Sequence, residues 1–259
     1  MRYQGRTATL AYYTQGEGPT ILFVHGNGST HKIWNATIQP LESSFQCISY
    51  DLRGHGASHK YYEAFTLDLL INDLEELRSH LELDRFYLVG HSLGALVAAE
   101  YAYRFPERIE KLCMIAAPAA RNDSARSAGE SLLAQLKEQG VKETMSGLVR
   151  RWYTDSFVTT HPGALEARLE QLTSISEQVF INAYALYTHT DIDARLPDLS
   201  MPTLVMTGEY ASGCDAEVAR CISETIPNSH LVIFREMKNG VLTEIPERVS
   251  KEILNYFLE

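Results

Sequence analysis

A chain of 259 residues, 45 % hydrophobic and 22 % charged, can bury a large core, either as one domain or as a core carrying an inserted lobe. With 23 basic against 33 acidic residues the net charge is -10, and no run of Lys or Arg forms a basic stripe that would hold a phosphate backbone, so nucleic acid is not an expected partner. Met1-Arg2-Tyr3-Gln4 opens no secretory leader and no apolar run approaches the ~20 residues that span a bilayer, so a cytoplasmic protein without membrane attachment is expected.

In chain order, "TATLAYYTQGEGP" alternates and then turns at Gly16 to Pro19, the pattern of an antiparallel edge hairpin. Six short apolar runs follow, at 20–26, 45–51, 85–91, 111–118, 202–208 and 230–236. Consecutive apolar positions suit strands covered on both faces, which predicts a mostly parallel central sheet with helices in the crossovers. Two crossover helices are legible. Residues 66–81 put Leu67, Leu70, Ile71, Leu74, Leu77 and Leu81 on one stripe, and the Ala-rich 93–105 is apolar enough to be largely buried. Between 119 and 192 the strands stop and four helical patterns appear, at 127–140, 142–157, 162–175 and 176–189. The domain reading is a core of 1–118 and 193–259 with a helical cap at 119–192. Cys47, Cys113, Cys214 and Cys221 show neither metal nor redox spacing and are read as reduced and structural, and neither a metal nor an organic cofactor is implied.

The chemistry concentrates at two turns. "LVGHSLGAL" places Ser92 between a strand pattern and an Ala-rich helix, with Gly90 and Gly94 on either side. Small residues allow the strained turn that projects a nucleophilic hydroxyl, and the helix N-terminus favours developing negative charge. "FVHGNGST" follows an earlier strand, so the Asn27 N–H and the Leu93 N–H can converge as an oxyanion hole.

These motifs, with "YDLRGHGAS" at 50–58, "MPTLVMTGE" at 201–209 and the closing helix "LTEIPERVSKEILNYFL", resemble the α/β-hydrolase superfamily over nearly the whole chain, in its esterase, enol-lactonase, haloperoxidase and C–C hydrolase branch. The resemblance implies the fold, a helical cap and a triad in the order serine, acid, histidine. It also implies where the other two members belong. The acid position holds Ala211 and the histidine position, five residues before Glu244, holds Asn239. An asparagine cannot accept a proton at neutral pH, so Asn239 cannot be the general base. Asp215 reads as a helix N-cap, Glu209 matches a residue that is not the triad acid, and His230 opens a strand. Trp152, Tyr153, Tyr184, Tyr187 and His189 are the candidate pocket residues of the cap.

The expected activity is hydrolysis of an ester or related acyl bond of a small, largely apolar substrate, crippled in this chain. Two losses in an otherwise intact motif set are what deliberate inactivation or a natural binding relative would leave. The ordered "GVLTE" after Asn239 favours the former. A receptor-type binding protein and a C–C bond hydrolase are the alternatives.

Overall fold

The central strands pair in parallel because each is apolar at nearly every position and must be covered on both faces. The computed structural model describes all residues 1–259. The chain begins with β1 (Arg2–Gln4), β2 (Thr9–Gln15) and β3 (Thr20–Val24), then the short α1 (Asn35–Ile38), β4 (Gln46–Tyr50), α2 (Leu67–His80), β5 (Phe86–His91), α3 (Leu93–Arg104) and β6 (Ile109–Ile115). A helical stretch follows: α4 (Asp123–Gln139), α5 (Val141–Ser146), α6 (Asp155–Thr160), α7 (Ala164–Thr173) and α8 (Glu177–His189). The chain then returns through β7 (Thr203–Gly208), α9 (Ala216–Thr225), β8 (Ser229–Phe234), α10 (Val241–Glu244) and α11 (Pro246–Leu258). The eight strands form one sheet in the order β1-β2-β4-β3-β5-β6-β7-β8, parallel from β4 onward. This is the α/β-hydrolase arrangement that the sequence predicts. No helix is long and apolar enough to cross a membrane.

Three local expectations need correction. The turn at Gly16 to Pro19 does not close a hairpin between β2 and β3. β2 pairs antiparallel with β4, Tyr12 opposite Tyr50, while β3 lies on the other side of β4. The reason is visible at Gly16, where φ is +74° and a Cβ would meet the Phe45 carbonyl at 2.3 Å: the turn packs over the entry to β4 and carries the chain past it. The pattern at 142–157 is not one helix. α5 ends at Gly147, a 3-10 turn covers Val149–Trp152, Tyr153 is extended, and the Thr154 side chain starts α6 by accepting from the Phe157 N–H. The closing helix is likewise divided at Ile245, because Pro246 disfavours helical backbone in the residue before it.

Two layers of helix cover the sheet. α3 buries ten residues, from Leu93 to Ala102, and α2 sets Leu70, Ile71, Leu74 and Leu77 beside it. On the opposite face α11 contributes Val249, Ile253 and Phe257 to a second core with Phe23, Trp34 and Phe45. Residues of β3, β5, β7 and β8 pack into both cores, and the loops after these strands carry Gly26–Asn27, Ser92, Ala211 and Asn239.

Candidate active site

Ser92 occupies the first turn after β5 with φ +55° and ψ -119°, a conformation a non-glycine residue adopts only under constraint, costing about 1–3 kcal/mol. Its N–H donates to the Ile115 carbonyl (2.9 Å), tying the turn to β6. The flanking glycines are sterically required: a Cβ on Gly90 would lie 2.2 Å from the Gly94 carbonyl oxygen, and one on Gly94 would lie 2.1 Å from that of Val24. The turn after β3 presses against this one. A Cβ on Gly26 would stand 3.0 Å from the Ser92 Cβ, which puts the Gly26–Asn27 backbone beside the serine.

Two buried imidazoles hold that second turn in place. His25 donates from Nδ1 to the Gly26 carbonyl (2.8 Å) and accepts the Leu52 N–H at Nε2 (2.9 Å), which fixes a neutral tautomer. Burial pushes its pKa down to about 3. His55 accepts the Gly28 N–H (3.3 Å), and burial likewise lowers its pKa. The Asn27 side chain donates to the Phe180 carbonyl of α8 (3.1 Å), so the turn is also fastened to the helical stretch.

A cavity of about 580 Å³ opens over Ser92. Gly26 and Asn27 line it from below, and Trp152, Tyr153, Tyr184 and Tyr187 from above. His189 does not line it; its ring pairs with Glu130 (3.1 Å) at the exposed end of α8.

Ala211 and Asn239 come together. Ala211 is fully buried in the loop after β7, packed with Ala116 and Cys214. The Asn239 amide lies across this loop: Oδ1 accepts from the Ser212 N–H (2.9 Å), and Nδ2 donates to the Ser212 carbonyl (3.2 Å) and to Cys214 Sγ (3.7 Å). Both ends of the amide are therefore committed to the 212–214 backbone and sulfur, and neither is turned on Ser92. Other acids nearby are structurally employed. Asp215 accepts from the Glu217 and Val218 N–H groups as the N-cap of α9, and Glu209 accepts the Glu236 N–H (2.9 Å) between the loops after β7 and β8. His230 is exposed on β8 and stacks on Tyr256.

His91 is the one imidazole on the cavity wall. Its Nδ1 is buried without a partner, and burial, followed by the Arg168 charge, pushes its pKa down to about 4. Arg168 and Arg121, which the sequence reading passed over, also line the cavity. Arg121 is satisfied by the Thr188 and Thr190 carbonyls (3.1 and 2.9 Å) at the end of α8. A signal for Arg168 was present: it falls between Leu165 and Leu172 on the inward stripe of α7, where a hydrophobe is the default.

Comparison with known proteins identifies the family. The sequence model of the alpha/beta hydrolase fold matches residues 19–160, more than half of the chain. The chain belongs to the α/β-hydrolase family. It is similar to 3-oxoadipate enol-lactonase 2 of Acinetobacter baylyi, 27 % identical over 86 % of this chain and 83 % of that one. It is also similar to the pimeloyl-[acyl-carrier protein] methyl ester esterase of Vibrio vulnificus, 23 % identical over 95 % and 97 %. Among solved structures it superposes on a thermophilic esterase from Thermogutta terrifontis, determined with malate bound, with a TM-score of 0.86 and 27 % identity over 96 % of this chain and 93 % of that one. Hydrolases of the ester and lactone type are thus its relatives.

Proposed function

We propose that the cavity binds an ester or lactone of a small molecule with its acyl carbon at the Ser92 hydroxyl and its carbonyl oxygen toward the Asn27 and Leu93 N–H groups, in a serine hydrolase whose turnover is crippled by Ala211 and Asn239. The observation that carries this reading is Ser92 itself: a serine held at φ +55° on a strand-to-helix turn, against the Gly26–Asn27 turn and under a cavity, has no structural use for that strain. The relatives named above act on a lactone and a methyl ester, both of which present an acyl carbon joined to oxygen.

Chemistry would begin with attack of the Ser92 oxygen on the acyl carbon. The carbonyl oxygen gains negative charge, and two N–H groups that need no reorganisation stabilise it. The hydroxyl proton must leave in the same step, and here the arrangement fails. Asn239 is not basic at neutral pH, and its amide is occupied by Ser212. His91 is a weak base, with its pKa at about 4. What remains is substrate binding and oxyanion stabilisation, worth about 10³–10⁴ over the reaction in water.

A second reading is a ligand-binding protein that retains the hydrolase cavity, favoured by the three contacts the Asn239 amide makes, which suit an asparagine settled in its place. One experiment separates the two. The double variant Ala211→Asp/Asn239→His should raise kcat/KM on p-nitrophenyl butyrate by at least 10², since a well-placed base contributes roughly 10²–10⁴, and Ser92→Ala in that background should abolish the gain. Ala211→Asp alone should change little, having no imidazole to orient. A folded double variant without gain would refute the crippled-hydrolase reading.

A further inference from the structure

The cavity over Ser92 contains a guanidinium with one edge unused. Arg168, on α7, spends both hydrogens of Nη1 inside the protein: one goes to the Gly28 carbonyl (3.0 Å) and one to Gln171 Oε1 (2.5 Å). Nε and Nη2 donate to no protein group, and no carboxylate lies within ion-pairing distance of the guanidinium. The Trp152 ring covers it, 5.5 Å from the guanidinium carbon to the ring centroid. Together these contacts fix the plane of the group and leave its side-on edge, Nε with Nη2, facing the cavity that Arg168 lines.

That same edge takes carboxylates elsewhere in this protein. Arg53 donates from Nε and Nη2 to the two oxygens of Asp73 (2.8 and 2.5 Å), and Arg78 donates from the same pair to the two oxygens of Glu75 (3.0 and 2.9 Å). Each is a fork-to-fork pair, the strongest and most directional arrangement available to an arginine. At Arg53 and Arg78 the chain supplies a carboxylate to this edge; at Arg168 it supplies none. Burial weighs against the Arg168 charge, yet a guanidinium does not give up its proton, so the charge stays and an anion would offset the cost of desolvating it. In a chain of net charge -10, a cation on the cavity wall with donors left over selects for an anionic ligand by contrast with its surroundings.

We infer that Arg168 is a ligand-recognition residue whose Nε/Nη2 edge binds a free carboxylate carried by the molecule that occupies the cavity. Its position sets the ligand's length. Arg168 rests on the carbonyl of Gly28, two residues after Gly26, whose backbone touches Ser92, and two residues span at most about 7 Å. A carboxylate on Arg168 and an ester carbonyl at Ser92 would be joined by a short chain, as in the half-ester of a small dicarboxylic acid. The ester end rests on the function proposed above; the carboxylate end stands on Arg168 alone.

The test is calorimetric titration of the protein, with Asn239 and Ala211 unchanged, using monomethyl glutarate, dimethyl glutarate and pentanoate. Monomethyl glutarate should bind at least tenfold more tightly than dimethyl glutarate, the effect of one charge-assisted bidentate pair. In Arg168→Met the two should become equal while dimethyl glutarate binding is retained. Arg168→Lys, which keeps charge and stem but offers no fork, should lose most of the preference. Equal affinities in the unaltered protein, or a preference that survives in folded Arg168→Met, would overturn the assignment, and the first comparison decides even if that variant does not fold. Arg168-dependent binding of pentanoate as tight as that of the half-ester would keep the carboxylate site and remove the ester reading. No binding of any of the three would remove both.

Discussion

Asn239→Ala isolates what the asparagine does in its present place. The substitution deletes an acceptor to the Ser212 N–H (2.9 Å), a donor to the Ser212 carbonyl (3.2 Å) and a longer contact to Cys214 Sγ (3.7 Å). The Ser212 pair is solvent-exposed, so the freed groups are rehydrated and each bond contributes only its net value, about 0.5–1.5 kcal/mol. The expected loss is therefore about 1–3 kcal/mol. A chain of this length unfolds with an entropy near 2.1 cal/mol/K per residue, so the midpoint should fall by roughly 2–5 °C. Scanning calorimetry checks this, with Asn239→Asp as the comparison: it keeps the acceptor for Ser212 N–H but faces the Ser212 carbonyl with a second acceptor, and should be no more stable than the alanine variant. A midpoint unchanged in Asn239→Ala would mean that the amide does not staple the two loops and that its contacts carry no weight in choosing asparagine here.

The pH dependence of folding should carry the mark of the buried histidines. The folded pKa of His25, about 3, lies below its usual 6.5, so the unfolded chain takes a proton that the folded chain refuses. Stability is full above pH 6.5 and lost as pH falls toward 3, by about 2 kcal/mol between pH 6.5 and 5 for this one group. Urea unfolding at pH 7 and pH 5 measures it, and equal stabilities would contradict the neutral assignment. Asp215→Ala should cost about 1 kcal/mol through loss of the α9 N-cap, yet leave kcat/KM of the Ala211→Asp/Asn239→His variant within a few-fold; a drop of orders of magnitude would make Asp215 the working acid.

What the sequence revealed and what it withheld divide along the range of the interaction. β3, β5 and β7 were legible because a strand buried on both faces announces itself in consecutive residues such as Ile21-Leu22-Phe23-Val24, and the Ser92 turn because its glycines answer to contacts within four residues or with the neighbouring strand. The partner of β2 was not, since a turn at Gly16–Pro19 fits a hairpin as well as a passage over β4, and only Phe45, distant in sequence, decides between them. The break in 142–157 was hidden because Gly147 and Thr154 are tolerated within helices, and the extended Tyr153 is held from outside: a Cβ on Gly240 would meet its ring at 2.6 Å. Spacing could place Asn239 near Ala211 but could not say that its amide turns to Ser212. Arg168 needed the absence of an acidic partner, which is a property of three-dimensional neighbours.

The segment that holds Tyr153 also bears on whether the site can be rebuilt. The Gly240 N–H donates to the Trp152 carbonyl (2.8 Å), the Thr154 N–H donates to Glu244 (3.1 Å), and Lys238 approaches Asp155 (3.7 Å), so residues 152–155 grip the loop on both sides of Asn239. From below, the Tyr210 N–H donates to the Met237 carbonyl (2.9 Å), and Gly208 is free of a Cβ that would strike the Lys238 carbonyl at 2.2 Å. None of these contacts uses the side chain of residue 239 or of residue 211. The backbone that would present an imidazole at this position is thus held by contacts beyond those of the Asn239 side chain, and the strained turn at Ser92 by contacts of its own. Catalysis depends on such pre-set geometry as much as on the reacting groups. On the function proposed above, the missing chemistry lies in two side chains, and restoring both is expected to recover activity while Ala211→Asp alone is not.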